Sequence, residues 1–335
     1  MKPTIYDVAG KAGVSIATVS KVVNNTGHIS DKTKKKVMKI VEELEYQPSS
    51  LAAALTGKKT FTIGVLVPDI SNPFFAEVAR ALENRAWERD YTIILCSTDY
   101  QKEREQDYME LLLKKQVDGI ITATEPKDVN AFQKLRNRHI PLLMFSVGHL
   151  ALSSHVVTTD DLRGGYLAGR YLLGYGHRKM AMITEMDRPS GRLRLEGFKE
   201  ALSDQGIVLD DQYVINARSK IEDAKLAAQQ ILQMKEKPTA VFASTDLFAA
   251  VFLKEAREAN VFIPHEISVV GFDNTVHAQI ADPGITTIAH PIDELARYSI
   301  SQLLESIENP EILGHRIMLA PTLVERESVR DLNKK

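Results

Sequence analysis

From residue 61 onward the sequence alternates short apolar runs with longer helical patterns, and this alternation strongly constrains the fold. Apolar runs of this length are typical of parallel strands covered by helices on both faces. The runs are Phe61–Val67, Thr92–Cys96, Gly119–Ala123, Pro141–Phe145, Met180–Thr184, Ala240–Ala243 and Ser268–Phe272. Helical patterns lie near residues 73–89, 103–116, 128–138, 161–174, 192–205, 222–235 and 245–259. The sequence therefore predicts a doubly wound α/β architecture with parallel sheets.

This region is too long for a single doubly wound sheet. With about ten strands expected, two Rossmann-like lobes are the natural division. Ligands of such sheets bind at the carboxyl ends of the strands. The sequence therefore predicts a ligand cleft between two lobes.

The first 45 residues carry a different pattern, three short helices with a tight turn after the first. Thr4 begins a capping-box sequence, and Gly13 suits the left-handed end of a helix. Ser15 is placed to cap a second helix through about Asn24, and Ser30 to cap a third. This pattern predicts an all-α helix-turn-helix head whose second helix faces the major groove of DNA.

Charge is distributed unevenly along the chain. Residues 1–60 hold ten lysines, no arginine and five acidic residues, a net charge of +5. Since the whole chain carries −2, the remainder carries −7. A basic head on an acidic body is expected of a nucleic-acid-binding module joined to a second domain.

Motifs of catalysis and of membrane targeting are missing from the sequence. There is no nucleophile–base pair, metal-spaced His/Cys cluster, Walker motif or GxGxxG after a strand, so we expect no enzyme activity, no cofactor and no metal site. Cys96 ends an apolar run and is expected to be a buried, inert thiol, and His177 to be structural. Without a signal peptide or a long apolar stretch, the protein is expected to be cytoplasmic, nucleoid-associated on DNA, and without a membrane partner.

Three segments of the head and linker resemble the signature of the LacI/GalR family of bacterial transcription regulators. They are Thr4-Ile5-Tyr6-Asp7-Val8-Ala9, Gly13-Val14-Ser15-x2-Thr18-Val19-Ser20-x-Val22-x-Asn24 and Tyr46-x-Pro48, and the similarity extends through almost the whole chain. The resemblance implies a helix-turn-helix head, a hinge helix and a two-lobed, periplasmic-binding-protein-like effector core. It also implies a homodimer on a pseudo-palindromic DNA operator, and a role as repressor.

The pattern and the resemblance together suggest domain boundaries. The DNA-binding domain is expected over residues 1–46, the hinge helix and linker over 47–60, and the effector-binding and dimerisation core over 61–335. Within the core, the first lobe is expected to comprise about 61–159 and 290–319, and the second about 160–289 and 320–330.

The resemblance carries DNA-contacting roles onto particular positions. Ile16, Ala17 and Lys21 match base-reading positions, although Ile16 and Ala17 also admit a plain surface interpretation. Positions that grip phosphates, together with further DNA-binding candidates, are Thr4, Tyr6, Ser15, Thr18, Ser20, Asn24, His28, Thr33, Ser49 and Ala52. The Lys32–Lys39 cluster is as compatible with a solvated helix face as with phosphate contacts.

Two positions depart from the usual family set. Lys21 stands where arginine is usual, and a lysine is a flexible point charge that reads guanine less stringently. Leu55 matches a leucine that wedges into the central minor-groove step, but the arginine that many relatives carry near Ala53 is missing.

In the core, the resemblance points to ligand contacts at the predicted cleft. Arg194 is the expected anchor, with Asp273 as an acceptor for hydroxyl or ring N–H groups. Phe74 and Phe75 match an aromatic pair that stacks on ligands, and a core position for one of the two is an equal alternative. Thr245 and Asp160 are further candidates; Asp160 and Asp161 either line the cleft or cap, and Asp246 is expected to cap a helix.

The effector is expected to be a sugar or related metabolite. Ser219 stands where some relatives carry a stacking aromatic, which makes a planar purine less expected. Two alternatives remain open at this point: a catabolite-control-type regulator with a phosphorylated carrier protein as corepressor, and a sugar-binding protein without DNA binding. Other segments resemble a degradation-activator subgroup of the family.

Overall fold

A computed structural model describes residues 3–23, 26–46, 59–127, 129–145, 152, 155–312 and 314–334. The head consists of α1 (Ile5–Ala12), α2 (Ile16–Val23) and α3 (Asp31–Glu43). The Asp7 carboxylate accepts from the Thr4 backbone N–H at 2.7 Å, and Gly13 ends α1 with a φ of 64°. Three helices this short are held together by a small apolar core, in which Val8, Ala12, Val19 and Val37 are fully buried.

The first lobe of the core is a parallel sheet. Its strands are β1 (Thr62–Val67), β2 (Thr92–Ser97), β3 (Gly119–Thr122), β4 (Leu142–Phe145), β5 (His155–Thr159) and β11 (Arg316–Leu319). They lie in the order β11-β5-β4-β3-β1-β2. The helices that cover it are α4 (Pro73–Trp87), α5 (Lys102–Lys115), α6 (Val129–Asn137) and α12 (Ile292–Glu308). α4 and α12 enclose one apolar cluster and α5 and α6 another, so the strands are covered on both faces.

The second lobe repeats this plan. Its strands are β6 (Met180–Thr184), β7 (Val214–Asn216), β8 (Ala240–Ala243), β9 (Ser268–Asp273), β10 (Thr286–Ala289) and β12 (Thr322–Val324), in the order β12-β10-β9-β8-β6-β7. Only β12 pairs antiparallel. The covering helices are α7 (Asp161–Gly174), α8 (Pro189–Ser203), α9 (Ile221–Leu232), α10 (Asp246–Glu258) and the short α11 (Val276–Ile280).

The chain passes between the lobes at three places. It crosses from β5 into α7, returns from β10 into α12, and crosses again from β11 into β12. All three crossings therefore lie at the same edge of each sheet, and the opposite edges, at β2 and β7, are free of crossings.

The expected fold class is confirmed, and the seven predicted strands are present with ends shifted by at most one residue. The sequence patterns missed β5, β7, β10, β11 and β12. β5 and β10 contain buried threonines that interrupt an apolar run, while β7, β11 and β12 are short and partly exposed. No described helix is long and apolar enough to cross a membrane.

Glycines bring α7 and α8 unusually close together. A Cβ atom added at Gly165 would lie 1.9 Å from the Arg194 carbonyl oxygen, and one at Gly197 would lie 1.8 Å from that of Leu162. Only glycine permits this approach of two helix backbones. The contact places Asp161, at the start of α7, beside Arg194 in α8.

Candidate functional site

The head presents the predicted base-reading residues on the exposed face of α2. Ile16 is 41% exposed, and Ala17 and Lys21 are also exposed, whereas Val19 and Val22 face the head core. A helix with one buried and one accessible face can lie on DNA without disturbing its own packing.

Several predicted phosphate-contacting residues surround this face. Tyr6 is 70% exposed. The Ser15 hydroxyl lies 2.9 Å from that of Thr18 and accepts from the Thr18 backbone N–H at 3.1 Å, so it caps α2 as expected. Thr4, Ser15 and His28 are exposed, and Thr18, Ser20 and Thr33 are half-buried. Four predicted DNA contacts lie outside the described residues: Asn24, Ser49, Ala52 and Leu55.

The second candidate site is a cleft between the lobes with an empty volume of ≈ 670 Å³, its mouth included. Its walls come from the carboxyl ends of strands in both sheets, where the sequence places a ligand site. The first lobe contributes an apolar and aromatic wall that includes Phe74, Phe75 and Tyr100. The second lobe contributes a polar wall, formed by Glu185, Arg188, Ser190, Arg194, Ser219, Thr245 and Asp273 among others.

Arg194 lies at the base of the polar wall and is only 6% exposed. Its Nε donates to Asp161 Oδ1 at 2.8 Å, and its Nη1 donates to the Ser244 carbonyl oxygen at 2.5 Å. Asp273 Oδ1 lies 3.5 Å from Nη1, and the guanidinium carbon lies 3.5 Å from the centre of the Phe272 ring. Any ligand that contacts this arginine shares it with several protein acceptors.

Asp273 belongs to a second, closely linked group of buried carboxylates. Asp246 accepts from the Thr275 backbone N–H at 2.6 Å and from the Thr287 hydroxyl at 2.6 Å. Burial raises the pKa of Asp246, and the neighbouring Asp273 raises it further. Burial likewise raises the pKa of Asp273, although Arg194 opposes this shift. The pair therefore retains a proton at higher pH than an exposed carboxyl group would.

His290, which the sequence patterns did not single out, joins the two lobes beneath the cleft. Its Nδ1 lies 2.7 Å from the Thr159 hydroxyl in the first lobe, and its Nε2 lies 3.2 Å from Asp273 Oδ1 in the second. Its ring centre is 4.6 Å from that of Phe74. Burial lowers the pKa of His290 to about 3, with Arg194 contributing, so the ring is neutral at pH 7. Its Nε2 also lies 3.4 Å from Arg194 Nη2, so this nitrogen is close to both a carboxylate acceptor and a guanidinium donor.

Two expectations about aspartates are corrected by the structure. Asp160, predicted to contact ligand, caps α7 by accepting from the Arg163 backbone N–H at 2.9 Å, and it does not line the cleft. A capping side chain turns back toward its own helix, and the next residue, Asp161, is the one that faces Arg194. Asp246 does not cap α10, because Thr245 occupies that position and its hydroxyl accepts from Phe248 at 3.3 Å.

The remaining predicted ligand contacts lie in the cleft wall. Phe74, Phe75, Arg194, Thr245 and Asp273 all line it, and Phe74 also belongs to the core of the first lobe. Tyr100, Arg188 and Glu185 were not predicted; each follows the end of a strand, which is the signal that could have found them.

Other chemistry-bearing residues have structural partners. Cys96 is buried, and burial raises its pKa to about 11. His177 lies 3.0 Å from the Thr239 hydroxyl and 3.2 Å from the Arg330 carbonyl oxygen. Within the part of the chain that is described, no group of three or more His, Cys, Asp or Glu residues is arranged to hold a metal ion.

Comparison with known proteins finds a family model for the head and another for the core. Residues 4–49 match the family model of bacterial regulatory proteins of the lacI family, and residues 170–329 match that of a periplasmic binding protein-like domain. The HTH-type transcriptional regulator DegA of Bacillus subtilis (strain 168) is 42% identical in an alignment of 337 positions that covers 99% of this chain and 100% of the relative.

Two solved structures extend the comparison. The lac repressor dimer bound to operator and the anti-inducer ONPF superimposes with a TM-score of 0.87 at 26% identity, covering 98% of this chain and 100% of that one. A LacI-family transcriptional regulator from Enterococcus faecium with bound ribose has a TM-score of 0.74 at 33% identity, covering 81% of this chain and 99% of that one. With a helix-turn-helix head, a two-lobed effector core and these relatives, the chain belongs to the lacI family of bacterial regulatory proteins and is a DNA-binding transcription regulator.

Proposed function

We propose that this regulator is a homodimeric repressor whose affinity for a pseudo-palindromic operator is set by a small polyhydroxylated effector in the interlobe cleft. The observation that carries the proposal is the exposed face of α2, with Ile16, Ala17 and Lys21, on a basic head joined to a core with a polar cleft. Ile16 and Ala17 would pack on thymine methyl groups, and Lys21 would reach a guanine.

The chemistry of the cleft supports a neutral, hydroxyl-rich effector. Glu125, Glu185 and Asp273 line it as acceptors, whereas Arg194 is already surrounded by carboxylates. Hydroxyl groups of a sugar can donate to these oxygens, and the aromatic wall can cover an apolar sugar face. The bound ribose of the Enterococcus faecium relative fits this chemistry. The acceptor-rich wall disfavours an anionic ligand.

Exposed apolar side chains on the second lobe support the homodimer. In α9, Ile221 is 61% and Leu226 is 66% exposed, and Ile280 in α11 is 74% exposed. α9, α10 and α11 share one apolar cluster on the same face of the sheet. Exposed apolar side chains on helices that cover the same face of a sheet are typical of an interface, and the lac repressor that resembles this chain was solved as a dimer on operator.

Effector binding in the cleft and DNA binding by the head are thermodynamically linked in this proposal. An effector that prefers one degree of lobe closure changes the spacing of the two hinge segments in a dimer, and so changes how well they pair on DNA. In this proposal Leu55 wedges into the central step of the operator. Leu55→Ala should then abolish most specific affinity and leave weak, salt-sensitive binding.

Selection of binding sites from genomic DNA by the purified protein tests the proposal. We expect an enriched sequence with two inverted half-sites, and an altered affinity for it in a screen of sugars and related metabolites. Binding to all four bases at each half-site position, for the wild type and Lys21→Ala, tests the base-reading role. Unchanged discrimination in the variant would contradict that role, and enrichment of no sequence at all would overturn the proposal.

A further inference from the structure

The connectivity places two residues at the edge of the cleft that lies farthest from the interlobe crossings. Tyr100 follows β2, the edge strand opposite β11 and β5. Arg188 follows β6, which lies beside the edge strand β7 and away from β12 and β10. Because all three crossings use β5, β10, β11 and β12, opening of the lobes separates Tyr100 and Arg188 more than residues near the crossings. A contact at this edge is far from the crossings, so it opposes opening of the cleft more effectively than a contact near them.

These two residues touch across the cleft. The guanidinium carbon of Arg188 lies 4.0 Å from the centre of the Tyr100 ring, a cation–π contact between the lobes. Tyr100 is half-buried there, and its burial, with the nearby charge of Glu185, raises its pKa. A cation–π contact is stronger where water is excluded.

The loop that carries Tyr100 holds it in a strained conformation. Asp99 and Tyr100 are consecutive residues with left-handed backbones, at φ values of 51° and 59°. The Asp99 carboxylate is held by an ion pair with Arg104, and it accepts from the Ser97 hydroxyl at 3.1 Å. Strain of this kind persists where the surroundings over-determine it, often at ligand clamps. These contacts all lie within the first lobe, so the ring is positioned independently of closure.

The contact is not fully satisfied on the second lobe. Arg188 Nε is buried and has no hydrogen-bond partner within the described part of the chain. A buried donor without an acceptor opposes closure, because that donor would be hydrated if the cleft opened. The unpartnered Nε therefore makes the closed state easier to reverse than a fully hydrogen-bonded contact would.

We propose that Tyr100 and Arg188 form a latch that holds the two lobes closed in the absence of effector. The latch sets the equilibrium ratio of open to closed molecules in the absence of effector. Any effector then changes that ratio by its difference in affinity for the two states. It rests on the proposed function only in that lobe closure is what the effector controls.

Distances between spin labels measure the latch directly, without effector or DNA. Glu103 in α5 and Glu196 in α8 are both exposed and lie on different lobes. Labelling the full chain at Glu103→Cys and Glu196→Cys, with Cys96→Ala and an excess of unlabelled chain, restricts the measured distances to single molecules. We expect a mainly short distance for the parent chain. With Tyr100→Ala the ratio of open to closed molecules should rise about three- to tenfold.

Matched variants separate a latch from a general loss of structure. Tyr100→Phe keeps the ring and should stay close to the parent. Arg188→Gln should act like Tyr100→Ala, and the double variant should open the lobes no further than either change alone. Arg192→Gln is the nearby control, because the hydrogen bond that the Arg192 side chain makes among the described residues is to the Met186 carbonyl oxygen of its own lobe, at 2.9 Å.

The proposal is overturned if Tyr100→Ala leaves the distances unchanged, or if Arg192→Gln opens the lobes as much. Circular dichroism and melting curves for each variant show whether the fold is intact. Operator binding is measured separately. If the distances contradict the latch but the protein binds its operator, the proposed function still holds. If the distances support the latch but no operator is bound, the latch still holds and the proposed function fails.

Discussion

In the head, the side chains expected to contact DNA are exposed, at 70% for Tyr6 and 41% for Ile16, whereas in the cleft both Arg194 and Asp273 are 6% exposed. The head folds through one set of residues, such as Val19, and presents another set to its partner. In the cleft the same residues fill both roles, because their charges are buried and satisfy one another. Substitutions in the cleft should therefore lower folding stability, whereas substitutions on the exposed face of the head should lower DNA affinity.

The largest effect is expected where a buried charge is removed from the cleft. Arg194→Leu leaves Asp161 and Asp273 without their cation and should lower the free energy of unfolding by about 3–5 kcal/mol. Urea denaturation followed by circular dichroism measures it. Arg194→Lys keeps the charge and should cost less. A loss below about 1 kcal/mol for Arg194→Leu would contradict this difference between the sites. Removal of a charged side chain from the cleft would then cost as little stability as removal of one from the head.

The head should show the opposite behaviour. Lys21→Ala should weaken operator binding by about 1–3 kcal/mol, since it removes the base contact that we propose for this lysine. Its free energy of unfolding should change by less than about 0.5 kcal/mol, because Lys21 is exposed. Fluorescence anisotropy with labelled operator and urea denaturation provide the two values. Val19→Ala, which removes part of the head core, is the matched control and should lower stability instead.

Two glycines of the head should respond oppositely to substitution by alanine, because their backbone conformations differ. Gly13 has a φ of 64° and room for a Cβ, so Gly13→Ala should cost about 1–2 kcal/mol through backbone strain alone. Gly10 lies inside α1 with nothing within 4 Å of an added Cβ. Gly10→Ala should therefore stabilise the head through helix propensity. Thermal melting of both variants tests the pair, and shifts of the same sign would contradict it.

The smallest effect is a pH dependence in the cleft. His290 has a pKa of about 3 in the folded chain, below its ordinary value, so only the unfolded chain gains a proton between pH 7 and 5.5. Native stability should fall by about 1 kcal/mol from this group over that range. His290→Gln does not titrate, so its stability deficit relative to the wild type should shrink on acidification. A deficit that is constant with pH would contradict a buried, neutral His290.

The head and the cleft also differ in how far sequence alone could predict them. The spacing of Gly13, Ser15 and Val19 is local, and it defines which face of α2 is exposed. The cleft is assembled from strand ends far apart in the chain. Arg194 and Asp273 were accessible through motifs, but nothing in the local pattern connects Thr159 with His290 or Tyr100 with Arg188.

The errors have a physical origin as well. Asp160 and Asp161 are adjacent, and only the start of α7 decides which of them caps the helix and which pairs with Arg194. β5 and β10 were not predicted because their threonines interrupt the apolar pattern. These threonines are nevertheless buried, and their hydroxyls can find partners within the fold, as Thr159 does with His290. Polarity in the sequence does not by itself mean exposure.

The glycine contact between α7 and α8 has a consequence for redesign. The seam at Gly165 and Gly197 leaves no room for even one methyl group, and it aligns Asp161 with Arg194. A library aimed at new effectors should therefore keep this seam constant and vary residues such as Ser219, which line the cleft outside the seam. The tolerance of this regulator to retuning is decided partly by residues that never touch an effector.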